Sequence, residues 1–199
     1  MSGRCILILG GVRSGKSRFA QELAGQLSDK VLFVATAEAL DKDMAHRIEA
    51  HKKSRAETWQ TLEIPTNIGN ELKRVGIGDA EVVIIDCLTL LLSNLVSEGS
   101  HDAEEIDYSS FESQAQSEIE DLLNCADSLG ATFIIVSNEV GSGLVPPHKS
   151  GRVYRDALGK ANQLIAGRAD EVYVMFAGIP VEIKSLESRR RDMEGENSC

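Results

Sequence analysis

Ile6-Leu7-Ile8-Leu9-Gly10-Gly11-Val12-Arg13-Ser14-Gly15-Lys16-Ser17 is the stretch that decides the fold. An apolar run stops at Gly10, and after four further residues come Gly15, Lys16 and Ser17, the spacing of a phosphate-binding loop. Glycines let the backbone turn so tightly that successive N–H groups point at phosphate oxygens, and the next helix begins with its positive end at the same place. Lys16 would reach the β- and γ-phosphates and the Ser17 hydroxyl would ligate Mg²⁺. A strand must precede such a loop and an amphipathic helix must follow it. The run up to Gly10 supplies the strand, and Phe19, Ala20, Leu23, Ala24 and Leu27 supply the apolar stripe of the helix. Arg13 is either a solvated loop cation or a phosphate contact.

The rest of the composition limits what such a loop serves. A chain of 199 residues fits one domain that can bury its core without disulfides or metals. We expect that domain to span 1–184, with a charged, apolar-poor and mobile tail over 185–199. Lys and Arg total 21 against 31 Asp and Glu, a net charge of −10, so no broad basic surface exists for nucleic acid. Cys5, Cys87, Cys125 and Cys199 are far apart, which argues against a zinc or disulfide set. The chain enters a strand almost at once and has no apolar run of membrane-spanning length. That pattern predicts a cytoplasmic protein with no membrane span.

Taken in order, Val31 to Ala35 is a continuous apolar run, as expected of a strand buried on both faces in a parallel sheet. Leu40 to Arg55 turns helical, with Leu40, Met44 and Ile48 on one stripe and Arg47, His51 and Arg55 beside it. Trp59 and Leu62 lie in a loop or short strand ending at Glu63-Ile64-Pro65. Asn67 to Val75 reads as a short helix broken at Gly76, and Val82 to Asp86 as a strand delivering a carboxylate to its end, the usual companion of a phosphate loop. Cys87 to Val96 follows as a helix, 97–107 as a polar loop containing His101, and Tyr108 to Leu129 as a long amphipathic helix stopped by Gly130. Thr132 to Val136 is a strand running into the glycine-bearing segment Ser137 to Gly143. After Pro146-Pro147 come a helix over about 151–166, a strand over Glu171 to Phe176, and a turn at Gly178-Ile179-Pro180 into an antiparallel strand from Val181 to Lys184. Alternating strands and helices give an α/β fold: a mostly parallel doubly wound sheet, an antiparallel strand at its C-terminal edge, and ligands along the carboxyl ends of the strands.

Several segments together resemble one enzyme family. These are the loop Gly10 to Ser17, the strand exit Ala35-Thr36, Arg47-Ile48 with His51, Lys52 and Arg55, then Asn138-Glu139-Val140-Gly141-Ser142-Gly143, Tyr154-Arg155-Asp156, Asn162-Gln163 and Ala169-Asp170-Glu171-Val172. In this order they resemble the bifunctional adenosylcobinamide kinase/adenosylcobinamide-phosphate guanylyltransferase family, from Leu7 to Lys184. The resemblance implies a RecA-like P-loop NTPase fold, commonly assembled as a homotrimer, in cobalamin biosynthesis. Its members phosphorylate adenosylcobinamide with ATP or GTP. They then move GMP from GTP onto that phosphate through a GMP-histidine, which here would be His51. The resemblance further implies that the guanine nucleotide is contacted by Gly10, Gly11, Val12, Arg13, Ser14, Gly15, Lys16 and Ser17, by Ala35, Thr36 and Ala37, by Lys52, Lys53, Ser54 and Arg55, and by Glu63 and Asp86. Ser17 and Asp86 are the expected Mg²⁺ ligands. Ala37 stands where many members have Ser, and Ala50 where some have a second His.

The chemistry of His51 supports that assignment. A neutral imidazole is a good nucleophile toward the α-phosphorus of GTP, and Lys52, Lys53 and Arg55 lie within four residues of it. A lone helical histidine without such neighbours is ordinarily a packing or surface residue. His46, five positions earlier, sits ~140° around the helix and cannot share its face. His148 reads as a surface residue, and Arg155-Asp156 as either a helix-surface ion pair or a functional pair. Two other readings compete: a single-activity small-molecule kinase using Lys16, Ser17 and Asp86, and a nucleotide-dependent regulatory protein without catalysis. A guanine-nucleotide switch would carry an Asn-Lys-x-Asp motif, which is absent.

Overall fold

The computed structural model describes residues 3–38, 49, 52, 55–99 and 107–186. Their strands form one seven-stranded sheet in the order β3-β2-β4-β5-β1-β6-β7, made of β1 (Cys5–Gly10), β2 (Val31–Ala35), β3 (Gln60–Glu63), β4 (Val82–Asp86), β5 (Thr132–Val136), β6 (Glu171–Phe176) and β7 (Ile179–Glu182). All neighbours are parallel except β6 and β7. The helices are α1 (Lys16–Leu27), α2 (Ile68–Val75), α3 (Leu88–Gly99), α4 (Tyr108–Leu129) and α5 (Lys149–Arg168).

The continuous apolar runs occupy the middle of the sheet because they alone can be covered on both faces. Successive side chains point to opposite faces. Leu7, Leu32, Val34, Val83, Ile85, Phe133 and Ile135 therefore pack under α2, α3, α4 and α5. Ile6, Ile8, Phe33, Ile84 and Ile134 pack on the other side with Ala20 and Ala24 of α1. Leu27, expected on the apolar stripe, is instead 38% exposed, so the buried face of α1 ends at Ala24. The edge strands β3 and β7 are mostly exposed, and Pro180, which has no N–H to donate, is tolerated in β7 because that strand has one open edge.

Several boundaries differ from the sequence reading, among them β7, which runs over Ile179–Glu182 where Val181 to Lys184 was expected. Helix α3 runs on to Gly99, into the segment expected to be loop, and α5 begins at Lys149 and ends at Arg168. The β6–β7 turn is Ala177-Gly178, both at positive φ (50° and 85°), one residue earlier than its glycine and proline suggested. Of the expected helix between Leu40 and Arg55, only Glu49, Lys52 and Arg55 are described, the first two helical; 187–199 of the expected tail also lie outside the described residues. Among the described residues no helix is long and apolar enough to cross a membrane.

One buried acid ties the helical layer together. Asn67, at the N-cap of α2, makes no side-chain cap; the Glu118 carboxylate of α4 accepts from the Asn67 and Ile68 N–H groups at 2.9 and 2.8 Å. A carboxylate there also complements the positive end of α2. Glu118→Ala would orphan both donors in a buried place, costing about 2–3 kcal/mol. In a thermal melt this should lower Tm by roughly 5–10 °C, with Glu118→Gln in between. An unchanged Tm would contradict the capping role.

Candidate active site

The loop between β1 and α1 is built as its sequence requires. Gly15 takes a left-handed conformation (φ 96°) at the helix start, and the Phe19 N–H donates to Gly15 O at 2.9 Å, so the first turn of α1 closes directly on the loop. Gly11, Val12 and Arg13 are exposed while Ser14 and Lys16 are buried. Arg13 adopts a positive φ of 57° and is exposed. The Ser14 hydroxyl is buried without a hydrogen-bond partner among the described residues.

Lys16 is only 8% exposed, and its Nζ donates to Gly11 O at 2.7 Å, folding the side chain back over the loop. Burial pushes its pKa below the ordinary lysine value, and the nearby Asp86 opposes that shift. Burial, and then the Asp86 charge, raises the Cys87 thiol to about 11. Cys87 is therefore neutral at pH 7, and Asp86 is the acid that opposes the effect of burial on Lys16. Asp86 reaches this position from the end of β4, with one strand, β5, standing between it and β1. Ser17, in the first turn of α1, is half-buried on the same carboxyl edge.

Thr36 does not offer its side chain to that edge. Fully buried, its hydroxyl donates to Cys87 O at 2.7 Å and accepts from the Cys87 N–H at 2.8 Å. The Thr36 N–H donates to Asp86 O, and Thr36 O accepts from Asn94 Nδ2. Its hydroxyl and N–H strap the end of β2 to Asp86-Cys87 at the end of β4, and its carbonyl ties the same point to α3. Ala35 is likewise buried, and Ala37 is half-buried at the strand exit.

A second cluster lies at the β2–β3 side of the same edge. A cavity of about 660 Å³ is lined by Lys52, Arg55, Trp59, Thr61 and Glu63 among others, within the size range of small-molecule sites. The Arg55 guanidinium lies over the Phe33 ring, 3.7 Å from its centroid, and Nη1 donates to Thr61 Oγ1 at 3.4 Å. Its Nε is buried without a hydrogen-bond partner among the described residues. Burial lowers the Arg55 pKa, opposed by Asp86 and Glu63, so one cation is held within electrostatic reach of both acids. Lys52 Nζ pairs with Glu63 Oε1 at 2.6 Å. His51, Lys53 and Ser54 lie outside the described residues, as do His46 and His101.

The segment after β5 closes the third side. The Glu139 N–H donates to Gly10 O at 3.1 Å, and the Asn138 N–H to Thr89 Oγ1 at 3.1 Å. Buried Asn162 of α5 accepts from the Ser137 hydroxyl at 2.7 Å and donates to Asn138 O at 3.1 Å, and the Tyr154 hydroxyl donates to Thr89 O at 2.7 Å. Tyr154 and Asn162 are thus scaffold residues that hold a loop against the phosphate loop. Arg155 and Asp156 pair with each other at 3.2 Å on the helix surface, and His148 is an exposed N-cap residue without a side-chain cap. Phe33, Thr89 and Asn94 were not singled out by sequence; each acts through a contact between segments far apart in the chain, for which spacing gives no signal.

Known proteins share both fold and sequence. The RadB recombinase superposes with a TM-score of 0.50 over 87% of this chain and 74% of its own, at 13% identity, which places the fold among RecA-like P-loop NTPases. The bifunctional adenosylcobalamin biosynthesis protein CobU of Escherichia coli is 41% identical over 181 residues, covering 90% of this chain and 99% of its own. CobU of Salmonella typhimurium is 38% identical over 181 residues, with the same coverage of each chain, and CobP of Pseudomonas aeruginosa is 39% identical over 181 residues, covering 89% of this chain and 96% of its own. The sequence model for cobinamide kinase / cobinamide phosphate guanyltransferase matches residues 6–183. A match over that span means that the chain belongs to the cobinamide kinase / cobinamide phosphate guanyltransferase family.

Proposed function

We propose that this chain phosphorylates adenosylcobinamide with ATP or GTP. It then transfers GMP from GTP to adenosylcobinamide phosphate through a GMP-histidine at His51, giving adenosylcobinamide-GDP and pyrophosphate. The observation that carries this reading is the buried Lys16 of the phosphate loop, with Asp86 within electrostatic reach, on the same sheet edge as the cavity holding Arg55 and Glu63.

In the first step the substrate hydroxyl attacks the γ-phosphorus, and the bond to the β-phosphate oxygen breaks. The hydroxyl proton is released and a nucleoside diphosphate leaves. Lys16 neutralises charge on the transferring group, and the loop N–H groups hold the phosphates in line. In the second step an imidazole nitrogen of His51 bonds to the α-phosphorus of GTP as pyrophosphate leaves. An oxygen of adenosylcobinamide phosphate then attacks the same phosphorus and the P–N bond breaks, restoring the imidazole. Arg55, held on Phe33, is a fixed cation beside this chemistry. The Glu63 carboxylate, an acceptor only, suits the N–H groups on the pairing edge of guanine better than the acceptor N1 of adenine. Oligomeric assembly belongs to the same proposal and is supported by the open edge of β7, where Ile179 is 64% exposed. Incubation with adenosylcobinamide, GTP and Mg²⁺, followed by mass spectrometry, should show the phosphate and then the GDP adduct with one pyrophosphate per turnover. Accumulation of the phosphate alone would leave a single-activity kinase.

Mg²⁺ fits the residues present. No cluster of three or more His, Cys, Asp or Glu exists among the described residues, whereas Ser17 and Asp86 offer one hydroxyl and one carboxylate. Such a sparse set of hard oxygens suits an ion held mainly by phosphates and water. Bound there, Mg²⁺ would neutralise charge on the nucleotide phosphates. EDTA should therefore abolish both reactions and Mg²⁺ restore them, while far-UV circular dichroism stays unchanged. Unfolding on chelation would instead reveal a structural metal.

A further inference from the structure

We propose that the β6–β7 turn, Ala177-Gly178, is a positioning element for nucleotide binding: it aims an N–H group of the phosphate loop at the ligand. The inference rests on the phosphate-site reading above and assigns a role to a hairpin otherwise notable only as the end of the sheet. The Gly178 N–H donates to Ser14 O at 2.9 Å. A planar trans peptide points its C=O and its N–H in opposite directions. Fixing Ser14 O from outside therefore fixes the Gly15 N–H toward the inside of the loop. On the other flank the Glu139 N–H holds Gly10 O at 3.1 Å and aims the Gly11 N–H in the same way. A cradle whose donors are already aimed spends no binding energy on ordering them.

Contact between the two backbones is close. A Cβ on Gly15 would lie 3.3 Å from the Gly178 Cα, and one on Gly178 would lie 3.4 Å from Arg18 Nη2. Gly178 has a φ of 85°, a conformation that a residue with a Cβ reaches only under strain. Gly178→Ala should thus displace the turn and release Ser14 O, leaving Lys16, Ser17 and Asp86 in place. Gly130 supplies the control: its φ is 68°, nothing lies within 4 Å of its would-be Cβ, and it sits between α4 and β5 at the amino edge of the sheet. Gly130→Ala introduces the same kind of strain far from the loop.

The test is titration of a fluorescent GTP analogue with Mg²⁺ into folded wild type, Gly178→Ala, Gly178→Asn and Gly130→Ala. The expected result is about tenfold weaker binding for Gly178→Ala, a smaller loss for Gly178→Asn, since Asn tolerates positive φ, and unchanged binding for Gly130→Ala. Where Gly178→Ala does not fold, the Asn variant reads the same parameter. Binding within about twofold of wild type in both Gly178 variants, or an equal loss in Gly130→Ala, would overturn the positioning role. Absence of binding by the wild type would overturn the phosphate-site reading itself, a distinct outcome.

Discussion

Lys16→Ala is expected to reduce phosphoryl transfer to adenosylcobinamide by at least about a thousandfold, with the fold retained. The ammonium is buried at 8% exposure and already tethered to Gly11 O at 2.7 Å, so it is placed before nucleotide arrives. Burial pulls its pKa down while Asp86 opposes that, and the buried side chain has limited hydration beside the phosphate site. Such a charge acts more strongly on developing phosphate charge than a solvated lysine would. Removing it also leaves Gly11 O without its side-chain partner, a loss of about 1 kcal/mol that a thermal melt would register as a small shift. Steady-state assay of the purified variant checks the expectation. Wild-type kinase turnover would contradict the phosphate-loop reading, and intact GTP use in guanylyl transfer alone would mean that the two reactions have separate nucleotide sites.

His51→Ala should split the two activities. If the imidazole carries GMP, its loss removes the nucleophile while Lys16, Ser17 and Asp86 stay in place. Adenosylcobinamide phosphate should then form at near wild-type rate and adenosylcobinamide-GDP should fall below detection. His46→Ala, five positions earlier in the sequence, should leave both steps close to normal. Product analysis by mass spectrometry distinguishes these outcomes. A His51→Ala variant that still makes the GDP adduct would place the nucleophile elsewhere.

The centre of the fold could be read from sequence because burial on both faces leaves a continuous apolar run, as in Val31 to Ala35, where every residue is buried. The phosphate loop was readable because its chemistry demands glycine, lysine and serine at fixed spacing. Strand order was not, since nothing local to Val82 to Asp86 says that β5 will stand between it and β1. The same holds for Glu118, which looks like a solvated helix residue until α2 is laid against it. Nor did the sequence show that the Thr36 hydroxyl is bonded to the Cys87 backbone. Only the register of β2 against β4 reveals that. The hairpin turn was placed too late in the sequence, and β7 starts at Ile179 instead of Val181, because alanine is a poor choice for the positive φ that Ala177 adopts.

The bifunctional assignment is tested most directly by incubating the protein with α-labelled GTP and Mg²⁺, denaturing it, and mapping retained label. Label should remain on the denatured chain in the peptide containing His51, be lost in acid and persist in alkali, as a phosphoramidate does, and be absent from His51→Ala. Absence of protein-bound label in the wild type, or label that is retained in His51→Ala and lost in His46→Ala, would contradict it.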